Sequence, residues 1–378
     1  MVAASSRGFE SVLNPVGECI SPHERVRLGY ACAMPRHAFP EPALPGFDAV
    51  LDAAARIAAQ ARVTPVVRSN RLDALAGAEL LFKCEHQQRG GAFKFRGACN
   101  AVQSLDAATA ARGVVTHSSG NHGAALALAA KMRGIACHVV APEGANQAKL
   151  EAIRRHGATL HRCAPGIAAR EEMCAEVQRD TGATLVHPYA DVRVIAGQGT
   201  AALELFAECG ALDVLVVPVG GGGLASGSAL SLAARSPQCE LLLAEPADAD
   251  DALRSLRAGE RRANAHVPTT VCDGLRGDLG APNFAMLRAA GAQAVAIDDG
   301  ATLAALRELW QDPRLRVEPS SAIALAAVLA SRERLHGLRI GIILSGGNVD
   351  TDAVPTLLGG KMPGIPGYEP HGSSSPAR

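Results

Sequence analysis

The sequence contains few aromatic residues and has no excess of charge of either sign. Aromatic side chains make up 3% of its 378 residues, and only one of them is tryptophan. Lys and Arg together number 37, as do Asp and Glu, so the formal net charge is zero. Binding to nucleic acid or to anionic membranes needs a basic excess, and base stacking needs aromatic rings. The composition therefore predicts neither a nucleic-acid partner nor a membrane partner.

The ten cysteines include no C-x-x-C pair and no zinc-ligand spacing, so we expect free, mostly buried thiols. Met1–Glu10 contains no apolar segment of the kind found in secretory signal peptides. The 21 residues 214–234 carry no charge, but Pro218 and four glycines favour a strand, a loop and a helix over a membrane span. These features predict a cytoplasmic enzyme or metabolite-binding protein.

Short apolar segments alternate with helical patterns through most of the chain. This alternation predicts an α/β protein with parallel sheets covered by helices. The segments that favour buried strands are 80–85, 114–118, 136–141, 159–163, 184–189, 214–219, 240–245, 294–298 and 339–344. The helical patterns between them include 121–133, 147–156, 168–180 and 199–209.

Both ends of the chain lack such periodicity. Residues 1–45 contain six prolines, and residues 359–378 include the sequence Gly-Ser-Ser-Ser-Pro. Such compositions disfavour a packed core. We therefore expect an N-terminal extension over 1–45 and a flexible C-terminal tail over 359–378.

Four consecutive glycines, Gly220–Gly223, lie between an apolar strand and a helical pattern. Bare glycines let backbone N–H groups approach a phosphate at the positive end of a helix. A tight turn, the simpler explanation, needs only one or two glycines. The spacing Gly220-x-Gly222-x-x-Ala225 also approximates a dinucleotide-binding motif, although such a motif normally opens its domain. The tetraglycine segment therefore favours phosphate binding.

Lys94 lies at the start of a helical pattern and is flanked by Phe93, Phe95 and Gly97. Burial among aromatic rings lowers the pKa of a lysine and makes its amine a nucleophile towards carbonyl groups. The alternative is an ordinary solvated lysine at a helix start.

Four motifs occur in order and together resemble one family. They are Gly91–Ala98 (GAFKFRGA), Ser118–Gly123 (SSGNHG), Gly220–Gly223 (GGGG) and Ser345–Asn348 (SGGN). From about Ala61 to Asp350 the sequence resembles the fold-type II (tryptophan synthase beta-like) pyridoxal-phosphate (PLP) enzymes, in their serine/threonine dehydratase and serine racemase group. The resemblance implies two open parallel-sheet domains with the active site in the cleft between them. We expect a large domain over 46–112 and 190–358, and a small domain over 113–189.

The resemblance also implies a role for each motif. Lys94 would form the Schiff base with PLP, Phe93 would pack beside the ring, and Asn121 would bind its 3-hydroxyl oxygen. Ser345 would face the pyridine nitrogen. The phosphate would be held by Gly220, Gly221, Gly222, Gly223 and the amide of Leu224. The substrate carboxylate would be surrounded by Ser118, Ser119, Asn121 and His122, although His122 could instead satisfy local backbone groups.

A short acidic segment after the strand 240–245 is the third candidate site. By resemblance to the racemase branch, the Glu245 carboxylate, the Ala249 carbonyl and the Asp251 carboxylate would bind Mg²⁺ or Ca²⁺, ions that prefer oxygen ligands. An acidic, solvated helix start is the alternative. Ala92 departs from the family, which usually has Ser before the Phe-Lys pair, and this leaves substrate preference open.

The resemblance implies a PLP-dependent dehydratase that converts L-serine or L-threonine to pyruvate or 2-oxobutanoate plus ammonia. Serine racemase and L-threo-3-hydroxyaspartate dehydratase are alternatives within the family.

Arg170 could meet a distal carboxylate or could be a solvated helix arginine, and Ser119 is the candidate for proton exchange on the second face of the cofactor. An NAD-dependent dehydrogenase and a non-catalytic metabolite-binding pseudoenzyme are more distant alternatives. We expect a homodimer, the commonest form of soluble oligomer.

Overall fold

The computed structural model describes residues 44–145, 147–350 and 354–358. The C-terminal tail predicted over 359–378 and almost all of the extension predicted over 1–45 lie outside the described residues. Among the described residues, no helix combines the length and the apolarity that crossing a membrane requires.

Two sheets organise the described chain. The larger sheet has the strand order β1-β2-β10-β7-β8-β9, in which β1 is antiparallel to β2 and the other neighbours are parallel. The smaller sheet has the order β5-β4-β3-β6 and is entirely parallel. The strands are β1 Val66–Val67, β2 Glu79–Cys84, β3 Val114–Thr116, β4 Cys137–Pro142, β5 Thr159–Cys163, β6 Thr184–Leu185, β7 Val214–Pro218, β8 Glu240–Pro246, β9 Gln293–Ile297 and β10 Arg339–Leu344.

Helices connect most of these strands and cover both sheets, as expected for parallel sheets. Their bounds are α1 Phe47–Ile57, α2 Asn70–Ala76, α3 Lys94–Gln103, α4 Ala107–Ala111, α5 Asn121–Arg133, α6 Gln147–Arg155, α7 Ile167–Thr181, α8 Val192–Cys209, α9 Gly223–Arg235, α10 Asp251–Ala258, α11 Ala281–Ala289, α12 Asp299–Trp310, α13 Pro319–Ala330, α14 Arg332–Leu335 and α15 Val354–Leu357.

The predicted strands are all present, with ends that differ by a few residues. The largest difference is in β6, which ends at Leu185 rather than at residue 189. Pro188 has no N–H group to donate to a neighbouring strand, and His187 Nδ1 accepts the backbone N–H of Ala190 at 3.0 Å, so the chain turns here. Helix α8 begins at Val192, seven residues before the predicted start, because the Asp191 side chain caps it by accepting the Arg193 N–H at 2.8 Å. The two-residue antiparallel strand β1 was not predicted.

The strands of the two sheets come from different parts of the chain. All four strands of the smaller sheet lie between Val114 and Leu185, and the strands of the larger sheet come from the chain on either side. Helix α3 nevertheless contributes Phe95 to the same apolar core as Leu126 of α5, which covers the smaller sheet. The domain boundary expected at residue 112 stays a prediction.

Helices α3, α8 and α9 pack with their backbones in direct contact. A Cβ atom at Gly197 of α8 would lie 2.6 Å from the Cα of Gly97 in α3, and one at Gly199 would lie 2.7 Å from the carbonyl oxygen of Gly227 in α9. Real Cβ atoms do not approach other atoms so closely, so glycine is required at these crossings. Helix α8 therefore sets the spacing between the helix that begins with Lys94 and the helix that follows the tetraglycine segment.

A buried ionic network ties the first turn of α3 to its neighbours. The Arg96 guanidinium donates to Glu85 at 2.7 Å and to Glu204 of α8 at 2.7 Å, and Lys83 of β2 also pairs with Glu204, at 2.6 Å. Arg96, Glu85 and Lys83 are fully buried. Although burial alone would raise it, the pKa of Glu85 is held below its usual value by Arg96. The network therefore fixes the position of Arg96, which lies two residues after Lys94.

We expect Gly97→Ala to lower the free energy of unfolding by about 1–3 kcal/mol, the usual cost of overpacking a core. The added Cβ would lie 2.5 Å from Gln198 Nε2 and 2.7 Å from the Val194 carbonyl oxygen. Urea unfolding measures the change. Gly300→Ala in α12 is the matched control, because its nearest atom is a side-chain oxygen of Asp298 at 3.1 Å that can shift. The packing argument is wrong if the two variants unfold at the same urea concentration.

Candidate active site

A cavity of about 440 Å³ brings the predicted site residues together. This volume is within the range of roughly 300–1,000 Å³ that is typical of small-molecule sites. Its lining comes from the loops and helix starts of both sheets, as expected at the carboxyl ends of parallel strands. The predicted residues that line it are Phe93, Lys94, Ser118, Ser119, Asn121, His122, Arg170, Gly220, Gly221, Gly222, Gly223, Leu224 and Ser345.

Lys94 is the first residue of α3 and lies partly buried in this cavity. Its Nζ donates a hydrogen bond to the Pro188 carbonyl oxygen at 3.1 Å and lies 5.0 Å from the centroid of the Phe93 ring. Burial lowers the pKa of Lys94 to about 8, although the nearby carboxylate of Glu318 acts in the opposite direction. Near neutral pH, part of the Lys94 population therefore carries an uncharged amine that can react as a nucleophile or a base.

The tetraglycine segment lies between β7 and α9. Gly222 has a φ of 89°, a left-handed conformation that glycine adopts readily, and α9 begins at Gly223. A Cβ atom at Gly220 would lie 2.8 Å from the Leu275 Cα, and one at Gly221 would overlap the Tyr189 ring. The segment therefore has no room for side chains. It presents its backbone to the cavity at the positive end of a 13-residue helix.

The Ser118–Gly123 motif forms the loop before α5 and the first turn of that helix. Its two serines, Asn121 and His122 line the cavity, and His122 is almost completely buried. His122 Nε2 lies 3.2 Å from the Val186 carbonyl oxygen and must donate to it, since a carbonyl only accepts. Burial, together with the charge of Lys94, holds the pKa of His122 well below its usual value. The motif therefore offers an uncharged histidine beside a helix N-terminus.

Hydrogen bonds join two of the motif residues to other parts of the cavity lining. The Ser345 carbonyl oxygen accepts the Phe93 N–H at 3.0 Å, which joins the end of β10 to the segment before Lys94. Asn121 Nδ2 donates to the Glu318 carboxyl group at 3.1 Å. Ser345 is buried and lines the cavity.

Several cavity residues were not identified from the sequence. Glu318, at the start of α13, is 6% exposed, and burial together with repulsion from Asp273 raises its pKa to about 7. Lys149 of α6 forms an ion pair with Asp273 at the cavity. Tyr189 follows β6, so the rule that sites lie at strand carboxyl ends could have pointed to it. Glu318 precedes a proline at a helix start, a pattern too common to single it out.

The model of the family described as "Pyridoxal-phosphate dependent enzyme" matches residues 57–346 of this chain. The chain belongs to this family. The resemblance to fold-type II PLP enzymes and the predicted fold class are both confirmed.

Relatives of the chain have more than one activity. A beta-hydroxyaspartate dehydratase of Paracoccus denitrificans is 46% identical over 82% of this chain and 99% of its own length. A serine racemase of Arabidopsis thaliana is 46% identical over 76% of this chain and 88% of its own. The crystal structure of a threonine deaminase from T.th. is 39% identical over 81% of this chain and 99% of its own, with a TM-score of 0.77.

The cavity residues fit PLP. The side-chain-free segment Gly220–Gly223 supplies N–H donors suited to a phosphate, and Lys94 supplies an amine that burial makes easier to deprotonate. Both face one cavity of adequate volume. These features agree with the family, although the roles of the individual residues stay predictions.

The predicted cation site does not line the cavity and lies at the end of β8 and in the residues that follow it. Glu245, Ala249 and Asp251 are each about 1% exposed, so the alternative of a solvated helix start is wrong for these side chains. Glu245 accepts the N–H groups of Ala252 at 3.1 Å and Leu253 at 2.6 Å. Within the described ranges, no group of three or more His, Cys, Asp or Glu side chains is arranged to hold a metal. The cation stays a prediction.

We expect Lys94→Ala to abolish both turnover and the visible absorption of protein-bound PLP, because the reactive amine is removed. The melting temperature of the protein should change little. Lys131→Ala on the exposed face of α5 is the matched control and should keep both properties. A purified Lys94→Ala protein with an unchanged visible band would contradict the role of Lys94.

Proposed function

We propose that this chain is a PLP-dependent dehydratase that removes the hydroxyl group from a β-hydroxy amino acid and releases a 2-oxo acid and ammonia. L-serine would give pyruvate and L-threonine would give 2-oxobutanoate. The observation that carries the proposal is the position of Lys94, whose amine, with a pKa of about 8, lies in a cavity shared with the tetraglycine segment and the N-terminus of α5. Assembly as a homodimer and a cytoplasmic location belong to the same proposal.

The residues of the chain divide the work of this elimination. The chemistry supplied by PLP, when bound, is an electron sink that acidifies the proton on the substrate Cα. Lys94 Nζ accepts that proton, and the hydroxyl group leaves from Cβ. The substrate carboxylate binds at the N-terminus of α5, where Ser118, Ser119 and the helix dipole favour an anion. Water is lost in the elimination and regained in the release of ammonia, so the net reaction neither forms nor consumes water.

A second candidate substrate, 3-hydroxyaspartate, is favoured by Arg170. This side chain lines the cavity and is partly buried, and its Nε donates to the Gly166 carbonyl oxygen at 3.2 Å, which restricts the guanidinium group. A guanidinium group binds a carboxylate in a two-pronged geometry that suits a second substrate carboxylate. The similarity to the Paracoccus dehydratase supports the same substrate.

We expect Arg170→Ala to lower kcat/KM for L-threo-3-hydroxyaspartate about 10- to 100-fold through KM, with little change for L-serine or L-threonine. The range corresponds to about 1.5–3 kcal/mol, typical of hydrogen bonds to charged groups. Keto-acid release from the three substrates, assayed in parallel, measures the effect. Arg179→Ala, an exposed arginine on the same helix, is the control. An equal loss for all three substrates would exclude distal-carboxylate binding, and no keto acid from any of them would refute the dehydratase.

Ser119 tests the racemase alternative. If its hydroxyl exchanges a proton on the face of the substrate opposite Lys94, Ser119→Ala should abolish D-serine formation and use while L-serine dehydration largely survives. Ser118→Ala is the matched control and should affect L- and D-serine equally, since that hydroxyl is proposed only to bind the carboxylate. Chiral analysis of serine after incubation measures both. Equal losses in Ser119→Ala would mean that Ser119 only binds the carboxylate.

We also propose that a divalent cation binds the Glu245 and Asp251 carboxylates. Burial together with repulsion from Asp251 raises the pKa of Glu245 to about 8, and a cation would relieve that repulsion. EDTA should therefore lower the melting temperature, and Mg²⁺ or Ca²⁺ should restore it. Glu245→Gln should lose this dependence, whereas Asp248→Asn, at a partly exposed site on the same loop, should keep it. A melting temperature that EDTA leaves unchanged would refute the site.

A further inference from the structure

The side-chain amide of Asn121 is held by two neighbours whose roles the proposed reaction leaves open. Asn121 Nδ2 donates to both oxygens of Glu318, at 3.1 and 3.4 Å. Asn121 Oδ1 accepts from Asn348 Nδ2 at 3.0 Å. Asn348 is the last residue of the SGGN motif, and Glu318 was not identified from the sequence at all. Each end of the Asn121 amide therefore has its own partner.

These partners favour one orientation of the amide over its flipped form. In its ionised form the Glu318 carboxylate only accepts hydrogen bonds, so it requires the Nδ2 end of Asn121. Asn348 Nδ2 is a donor whose position is set by the Gly90 carbonyl oxygen, to which it donates at 2.7 Å. Flipping Asn121 would place oxygen against the carboxylate and nitrogen against nitrogen. Both contacts would then be repulsive.

The partners are themselves fixed by the backbone. Glu318 accepts the Asn348 N–H at 3.1 Å, and its own N–H donates to the Gly346 carbonyl oxygen at 3.1 Å. A Cβ atom at Gly346 would lie 2.7 Å from Glu318 Oε1, so the glycine makes room for the carboxyl group. Asn348 is exposed, so water competes for its hydrogen bonds, whereas Glu318 is buried. The buried carboxyl group therefore contributes most to the preference.

We propose that Glu318 and Asn348 are positioning residues that hold the Asn121 amide in a single orientation, so that Asn121 meets the PLP ring oxygen as an N–H donor. Asn121 Nδ2 carries two hydrogens, and Glu318 takes one of them. The second hydrogen is left for the cofactor, whose ring oxygen is an acceptor when deprotonated. The inference rests on the proposed contact between Asn121 and PLP, and its test does not depend on turnover.

Two substitutions reverse the hydrogen-bonding roles of the partners. Asn348→Asp places an acceptor against Asn121 Oδ1. In Glu318→Gln, the oxygen of the new amide must accept the Asn348 N–H, so its nitrogen faces Asn121. That nitrogen meets Asn121 Nδ2 in the present orientation, and a flipped Asn121 would instead bring its own nitrogen against Asn348 Nδ2. One contact is therefore mismatched in either orientation. In the double variant, a flipped Asn121 satisfies both partners, since the introduced glutamine donates to its oxygen and the introduced aspartate accepts from its nitrogen. The Gly90 contact is lost equally in Asn348→Asp and in the double variant, and the Glu318→Gln variant measures separately the effect of removing the carboxylate charge.

The experiment measures melting temperature and the dissociation constant of PLP, by titration of the full-length apoprotein, for the single and double variants and for Asn121→Ala. We expect the double variant to melt higher than Asn348→Asp yet to bind PLP about tenfold more weakly than wild type, as Asn121→Ala does. That factor corresponds to one hydrogen bond. Asn100→Ala, at a buried asparagine outside the cavity whose Nδ2 donates to the Arg193 carbonyl oxygen at 2.7 Å and whose Oδ1 accepts from Arg56 at 2.6 Å, is the control and should lower only the melting temperature.

Each other outcome contradicts a distinct part of the argument. If the double variant recovers both stability and PLP affinity, the network is only structural and the inference is wrong. If Asn121→Ala weakens PLP binding but the substitutions at Glu318 and Asn348 do not, the inference is likewise overturned. If Asn121→Ala itself leaves PLP affinity unchanged, the proposed role of Asn121 fails first. Should Asn348→Asp not fold, Asn348→Ala removes the donor without adding charge, and unchanged PLP affinity in that variant would overturn the inference.

Discussion

The close packing of three helices determines where the reactive groups of this protein lie. Glycine pairs let α8 touch α3 on one side and α9 on the other, with no side chain between the backbones. One of these neighbours begins with Lys94 and the other follows the tetraglycine segment. Because helices in such contact cannot slide without a clash, the distance between the Lys94 amine and the backbone of the tetraglycine segment is set by packing rather than by flexible loops. The buried network around Arg96 adds a polar restraint at the same place.

Burial is the common cause of the unusual acid–base properties of the cavity. It lowers the pKa of Lys94 to about 8, and with the charge of Asp273 it raises the pKa of Glu318 to about 7. In each case the charged form is disfavoured because it is shielded from water. Near neutral pH, a larger fraction of each group is therefore uncharged than would be the case in water. An uncharged lysine can act as a base.

The sequence was informative wherever local pattern decides the structure. The apolar segments predicted the strands, since strand formation follows from local composition, and the four motifs that resemble the PLP family predicted most of the site residues that line the cavity. The start of α8 was missed because Gly197 interrupts its helical pattern, although the contact with Gly97 of α3 is what requires this glycine. Glu318 was missed for a related reason: its importance comes from Asn121 and Asn348, which are distant in sequence and meet it only in the folded chain.

The order of strands in the larger sheet has a consequence for biosynthesis. Strand β10 lies between β2 and β7, and its first residue, Arg339, is paired with Glu79, 260 positions earlier. The centre of this sheet therefore stays open until almost the whole described chain has left the ribosome. The smaller sheet has all its strands between Val114 and Leu185 and can close much sooner. Contacts of such unequal sequence separation form at different rates. During synthesis, the edges of β2 and β7 are the ones exposed longest to wrong partners.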